Sequence, residues 1–214
     1  MGNLDVIKRL QRSAISPEEL EDIHRRHKDD YRVLLGLAQH PRFPQGQALG
    51  ILSKLFAVDL VRVIKNVKTN PFVRKKAELE FQQRYKRLAL GEKISLLKMA
   101  SNSLLLALSD EDHPQLIQTI LQNPSCSEEV VLRFVNRRGD RSLFYQALAE
   151  TPWFRSPAVA EAVAHDPEAP IRILQKVIPH LGLAGLQKLF RDESTHQAVR
   201  DHIRSYIENR DAGN

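Results

Sequence analysis

Proline and helix-capping residues cut this chain into short pieces, and that spacing constrains its fold more than any other feature. Eleven prolines and nine glycines interrupt apolar residues that recur at three- and four-residue steps. Leu49, Leu52, Leu55 and Phe56 make one stripe, Val130, Val131, Phe134 and Val135 another, and Val199, Ile203, Tyr206 and Ile207 a third. Such spacing puts side chains on one face of a helix. Start signals stand where the stripes begin. Ser16 precedes Pro17, Glu18 and Glu19, which joins an N-cap, a first-turn proline and a capping-box glutamate. Asn70-Pro71, Ser127-Glu128-Glu129 and Ser156-Pro157 mark further N-termini. The carboxylates Asp29 and Asp30, and Asp110, Glu111 and Asp112, precede apolar runs and read as N-caps. The pieces therefore predict about a dozen or more helices of roughly 8 to 16 residues and no β-sheet.

Short helices cannot each bury a full stripe alone, but a stacked array can bury them together. A corner motif recurs: an apolar helix end, a polar residue, proline, then a residue that plugs the corner. Gln39-His40-Pro41-Arg42-Phe43 is one copy, and Gln122-Asn123-Pro124-Ser125-Cys126 is a second. Glu150-Thr151-Pro152-Trp153-Phe154 and His165-Asp166-Pro167-Glu168-Ala169 follow, with Asn70-Pro71 and Met99 to Asn102 as degenerate copies. Proline forbids continuation of the helix and biases the residue before it towards extended backbone. Prolines 41, 71, 124, 152 and 167 lie 30, 53, 28 and 15 residues apart, an irregular period.

At these residues the chain resembles the leucine-rich repeat variant, a helical repeat akin to HEAT and armadillo units. Ala160 to Val177 and Thr119 to Asn136 carry the likeness best, and Leu34 to Leu55 carries it less fully. The resemblance implies an all-α solenoid of stacked helical hairpins. On that reading residues 1–214 form a single repeat domain, with atypical helices over 1–30, repeats over 31–208 and a frayed tail over 209–214. Leucine-rich repeat variant proteins can carry a cysteine-rich cluster-binding segment; Cys126 is the sole cysteine, so that feature does not transfer. HEAT-like DNA glycosylases depend on paired tryptophans beside an aspartate, and Trp153 stands alone. A HEAT-like enzyme acting on DNA is accordingly the weakest alternative.

Charge narrows the partner. The chain has 32 Lys and Arg against 26 Asp and Glu, a net +6. From Lys54 to Lys98 there are twelve cations and four carboxylates, a net +8, so the remaining residues sum to −2. On a helix from Pro71 to Tyr85, Val73, Ala77, Phe81 and Tyr85 share the core face, which turns Arg74, Lys75 and Arg84 away from it. Lys65, Lys68, Arg74, Lys75, Lys76, Arg84, Lys86 and Arg87 are the candidate contacts for an anionic partner. Three outcomes stay open: a solvated face, an acidic protein, or a phosphate backbone. Trp153 and Phe43 are the candidate apolar contacts with a protein, against a corner-plug role. Arg133, Arg137, Arg138 and Arg141 form a second basic cluster around Gly139.

Catalytic and cofactor signatures are weak. His24 and His27 sit one helical turn apart, but HExxH is missing and a structural metal site wants about four ligands. There is no phosphate-cradling glycine loop and no nucleophile elbow. Cys126 reads as an inert, buried thiol. The longest purely apolar run is Leu104 to Leu108, and the first twelve residues lack the apolar core of a secretory signal. Val6 stands where an N-myristoylation motif at Gly2 wants Ser or Thr. The expectation is a cytoplasmic, non-enzymatic helical-repeat module with no cofactor or metal and no small-molecule substrate. It binds a macromolecule, first a protein and alternatively nucleic acid through Lys54 to Lys98.

Overall fold

A computed structural model describes residues 3–12, 14–193, 195 and 197–212. Gly2, His196 and the last two residues, Gly213 and Asn214, lie outside the described residues. Among the described residues the chain is all-helical, with no strand. Among the described residues no helix is long and apolar enough to cross a membrane. Contacts divide the chain into two compact units, one up to Leu104 and one from Leu105.

The first unit contains α1 (Asn3–Leu10), α2 (Pro17–Arg26), α3 (Tyr31–Gln39), α4 (Gln45–Leu52), α5 (Ala57–Lys65), α6 (Pro71–Tyr85) and α7 (Leu90–Met99). The boundary falls in α8 (Asn102–Ala107). The second unit contains α9 (Pro114–Leu121), α10 (Glu128–Val135), α11 (Ser142–Ala149), α12 (Pro157–Ala164), α13 (Ile171–Val177), α14 (Leu183–Arg191) and α15 (Gln197–Ala212). Two 3-10 turns, Pro152–Arg155 and Ile178–His180, sit between helices of that unit.

The starts follow the expected chemistry. Ser16 Oγ accepts from Glu19 N at 3.2 Å ahead of Pro17, and Asn70 Oδ1 accepts from Phe72 N at 2.9 Å ahead of Pro71. Asp30 Oδ1 takes the N–H groups of Arg32 and Val33 at 3.0 and 3.1 Å. Each such bond satisfies a donor that the first helical turn leaves open. Two caps differ. His113, not Asp112, caps α9 by accepting from Gln115 N at 3.3 Å, while Asp112 pairs with Arg137 at 2.7 Å. Ser127 occupies the N-cap position of α10 without a side-chain bond. Gly182 occupies the N-cap position of α14, which begins at Leu183.

Packing in the first unit pairs α1 with α3, α3 with α5, α4 with α6 and α5 with α7, and consecutive helices also meet, α5 with α6 most extensively. In the second unit α9 meets α11, α10 meets α12 and α13 meets α15. The core stripe of α6 is the one its spacing predicts, with Val73, Ala77, Phe81 and Tyr85 buried. The second unit is centred on Phe134, Phe144 and Tyr145, with the Phe134 and Phe144 rings stacked at 5.3 Å. Tyr145 donates its hydroxyl to Asp166, whose other oxygen accepts from Arg141 at 2.8 Å. Burial first, then that bond to Asp166, holds the Tyr145 phenol well above the usual tyrosine range.

Two outcomes follow from this core. Phe144→Ala should cost about 3–5 kcal/mol of unfolding free energy, read by urea denaturation. A raised tyrosine pKa means the fold holds the neutral phenol. That stabilisation is whole below the ordinary tyrosine value of about 10 and is lost as pH rises through the folded value. The urea midpoint of the parent protein should therefore fall above that pH more steeply than the midpoint of Tyr145→Phe.

Candidate functional site

The basic residues of the Lys54 to Lys98 stretch do not share one surface. Arg84 turns inward. Its guanidinium donates to the carbonyls of Leu55, of Ser53 at 2.7 Å and of Leu52 at 3.2 Å, and it pairs with Glu80 at 2.7 Å. It thus closes the carbonyl end of α4 and the turn after it, where a cation also complements the helix dipole. Lys65 donates to Met99 O at 3.0 Å and closes α7 in the same way. Arg74 is half-buried beside the core stripe of α6. Lys75 pairs with Glu78 at 3.0 Å. The expectation that Arg74, Lys75 and Arg84 all turn away from the core therefore holds only for Lys75.

What remains outward on α6 is a mixed face. Phe72 and Leu79, seven residues apart, are 46% and 42% exposed, and the Lys76 ammonium stands 5.6 Å from the centre of the Phe72 ring. Lys75, Gln83, Lys86 and Arg87 are exposed around them. Residues 72, 76, 79 and 83 recur at helical spacing opposite the buried stripe. Val67, in the turn before the helix, is 81% exposed.

A second feature of the first unit is a cleft of about 760 Å³ between α1, α3, α5 and the turn after α5. Its floor is apolar, from Ile7, Leu10 and Leu35, and its rim carries Arg32, Arg62 and Lys68. Asp59 is buried at its side. The Asp59 carboxylate accepts from Tyr31 Oη at 2.5 Å and from Arg62 Nη1 at 2.7 Å, and Tyr31 Oη in turn accepts from Phe56 N at 2.9 Å. Burial, then the bond to Asp59, raises the Tyr31 pKa above its ordinary value. Lys68 thus belongs to the cleft, apart from the outward face of α6. Sequence reasoning missed this site because Tyr31 and Asp59 stand 28 residues apart. The available signal was Asp59, a lone carboxylate in an otherwise basic and apolar stretch.

The apolar candidates also part company. Phe43 is 3% exposed and packs edge-on to the His24 ring at 5.5 Å, so it is a corner plug and cannot meet a partner. Trp153 is half-buried, and its indole N–H donates to Leu121 O at 2.8 Å, closing α9. Arg137 donates to Glu111 O at 2.9 Å, and Arg141 bridges Val135 O, Asp166 and Glu168. Arg133 and Arg138 are exposed. His24 donates to Gln47 Oε1 at 3.0 Å. Among the described residues no three His, Cys, Asp or Glu side chains gather where they could hold a metal ion.

No protein-family model, curated protein or solved structure matches this chain.

Burial pushes the Cys126 thiol up to about 12, so little thiolate forms near neutrality. At pH 8 its reaction with a disulfide reagent should be at least about tenfold slower in the folded protein than in urea. Equal rates would show an open, unperturbed thiol.

Proposed function

We propose that this chain is a non-enzymatic binding module built of stacked helical repeats, and that the outward face of α6 docks an acidic, amphipathic protein segment. Two regularities support the repeat architecture. Several helices in each unit meet their successor but one, α1 with α3, α4 with α6, α9 with α11 and α10 with α12 among them. Side chains also reach helix ends a near-constant distance away along the chain: 30 residues from Thr69 to Gln39, 32 from Arg84 to Leu52, 32 from Trp153 to Leu121 and 27 from Lys176 to Ala149. A spacing of that size is the length of a helical-hairpin repeat. It fits the resemblance to leucine-rich repeat variant and HEAT-like units, and such arrays present extended binding surfaces.

The observation that carries the partner class is the alternation of Phe72, Lys76 and Leu79 on one exposed face. An apolar anchor ringed by cations suits a helix or strand with apolar residues and acidic neighbours. A phosphate backbone is met by cations that converge on one surface. Arg84 and Lys65, occupied at helix ends, are withdrawn from that role.

The test is a photo-crosslinking residue placed at Leu79, with Gln118 on α9 as the control position. A discrete protein adduct formed at Leu79 alone, and lost in Phe72→Asp and in Lys75→Glu/Lys76→Glu, is the expected result. In parallel, fluorescence anisotropy with duplex DNA and single-stranded RNA should show no binding at 50 mM salt. Micromolar nucleic-acid binding that weakens steeply with salt and disappears in Lys75→Glu/Lys76→Glu would move the assignment to a phosphate backbone.

A further inference from the structure

The geometry points to a second binding site in the first unit: the cleft between α1, α3 and α5 takes a small organic phosphate monoester. This does not rest on the docking face of α6, and the residues that define the two sites differ.

Size comes first. A cleft of about 760 Å³ is in the range of sites for organic ligands and far larger than an inorganic anion needs. Charge comes second. The lining holds three cations, Arg32, Arg62 and Lys68, and one carboxylate, Asp59. Asp59 is buried and already paired with Arg62, so the lining presents a surplus of two positive charges. A phosphate monoester carries about −1.5 to −2 at neutral pH, which matches that surplus; a carboxylate carries half as much. Among the described residues, the side chains of Arg32 and Lys68 make no hydrogen bond or ion pair, so both are free to meet an anion.

Preorganisation comes third. Tyr31 Oη is fixed by Phe56 N on one side and Asp59 on the other. Asp59 in turn holds one terminal nitrogen of Arg62, whose side chain is still 57% exposed. This chain of bonds aims the remaining guanidinium donors outward without burying the charge, as phosphate recognition by arginine needs. His40 is not a ligand donor, because its ring bonds both Arg12 O and Arg42 N. Asn66 Oδ1 accepts from Lys68 N and fixes the turn that carries Lys68. The floor of Ile7, Leu10 and Leu35 gives the organic body of the ligand an apolar seat. Gly36 keeps that floor closed: a Cβ there would come within 2.9 Å of Leu10 Cδ1, so α1 and α3 meet directly.

The experiment is isothermal titration of the full chain with three probes: phenyl phosphate, inorganic phosphate and benzyl alcohol. Phenyl phosphate should bind saturably and at least about tenfold more tightly than either of the others, because only it fills both the cationic rim and the apolar floor. Arg32→Glu/Lys68→Glu should weaken phenyl phosphate by at least about tenfold while leaving the thermal midpoint in place, since neither side chain is bonded in the fold. Co-sedimentation with phosphatidylcholine vesicles, with and without phosphatidic acid, separates a soluble ester from a lipid headgroup. Retention on phosphatidic acid vesicles, lost in Arg32→Glu/Lys68→Glu, would place the same phosphate chemistry on a lipid. The absence of saturable phenyl phosphate binding, or binding that Arg32→Glu/Lys68→Glu leaves intact, would overturn the site. Neither result touches the crosslink at Leu79, so the two assignments fail separately.

Discussion

Everything in this structure depends on how its helix ends are satisfied. Most of its helices are short, with eight residues in α4, α9, α10, α11 and α12, so a large share of their carbonyls lies in last turns without an internal partner. Side chains distant along the chain supply the missing donors. Arg84 closes α4, Lys65 closes α7, Trp153 closes α9 and Lys176 closes α11. Each is a donor on a long side chain, and three of the four carry the positive charge that a helix C-terminus favours. A cap of this kind also fixes one helix against another, because its stem packs on the way to the carbonyl.

That requirement divides the basic residues into two populations with different consequences. Arg84, Arg137 and Arg141 hold carbonyls and carboxylates and are only partly exposed. Lys75, Lys76, Lys86 and Arg87 stand outward on or just after α6, and Arg32 and Lys68 rim the cleft. A surplus of six charges therefore overstates the field available to a partner. Around Phe72 and Leu79 the outward cations edge an apolar anchor; around the cleft they edge an apolar floor. The two settings favour different ligands for the same physical reason, which is the shape of the apolar surface beside the charge.

Local chemistry was legible in the sequence, and long-range chemistry was not. The stripe of Val73, Ala77, Phe81 and Tyr85, the caps at Ser16, Asp30 and Asn70, and the all-helical class follow from spacings of one to four residues. The inward turn of Arg84 depends on carbonyls 29 to 32 residues away, and no local signal separates it from Lys75. Phe43 read as a possible anchor because the residue two after a proline can point either way; the neighbouring helix buries it. Asp112 lost its capping role to His113 because α9 starts at Pro114, which puts the N-cap at residue 113; Asp112 pairs instead with Arg137, 25 residues on. The Tyr31, Asp59 and Arg62 cluster needs α3 and α5 side by side before it exists at all.

The measurement that bears most directly on this account compares urea unfolding of Arg84→Met with that of Lys76→Met. Both remove one positive charge from α6 and keep an unbranched side chain of helix-forming type. If capping of α4 by Arg84 holds the first unit together, Arg84→Met should lose about 1.5–3 kcal/mol, because charged donors to three carbonyls and to Glu80 are removed. Lys76→Met should stay within about 0.5 kcal/mol of the parent protein. Equal, small effects in the two variants would contradict the account, since Arg84 would then be one more surface charge.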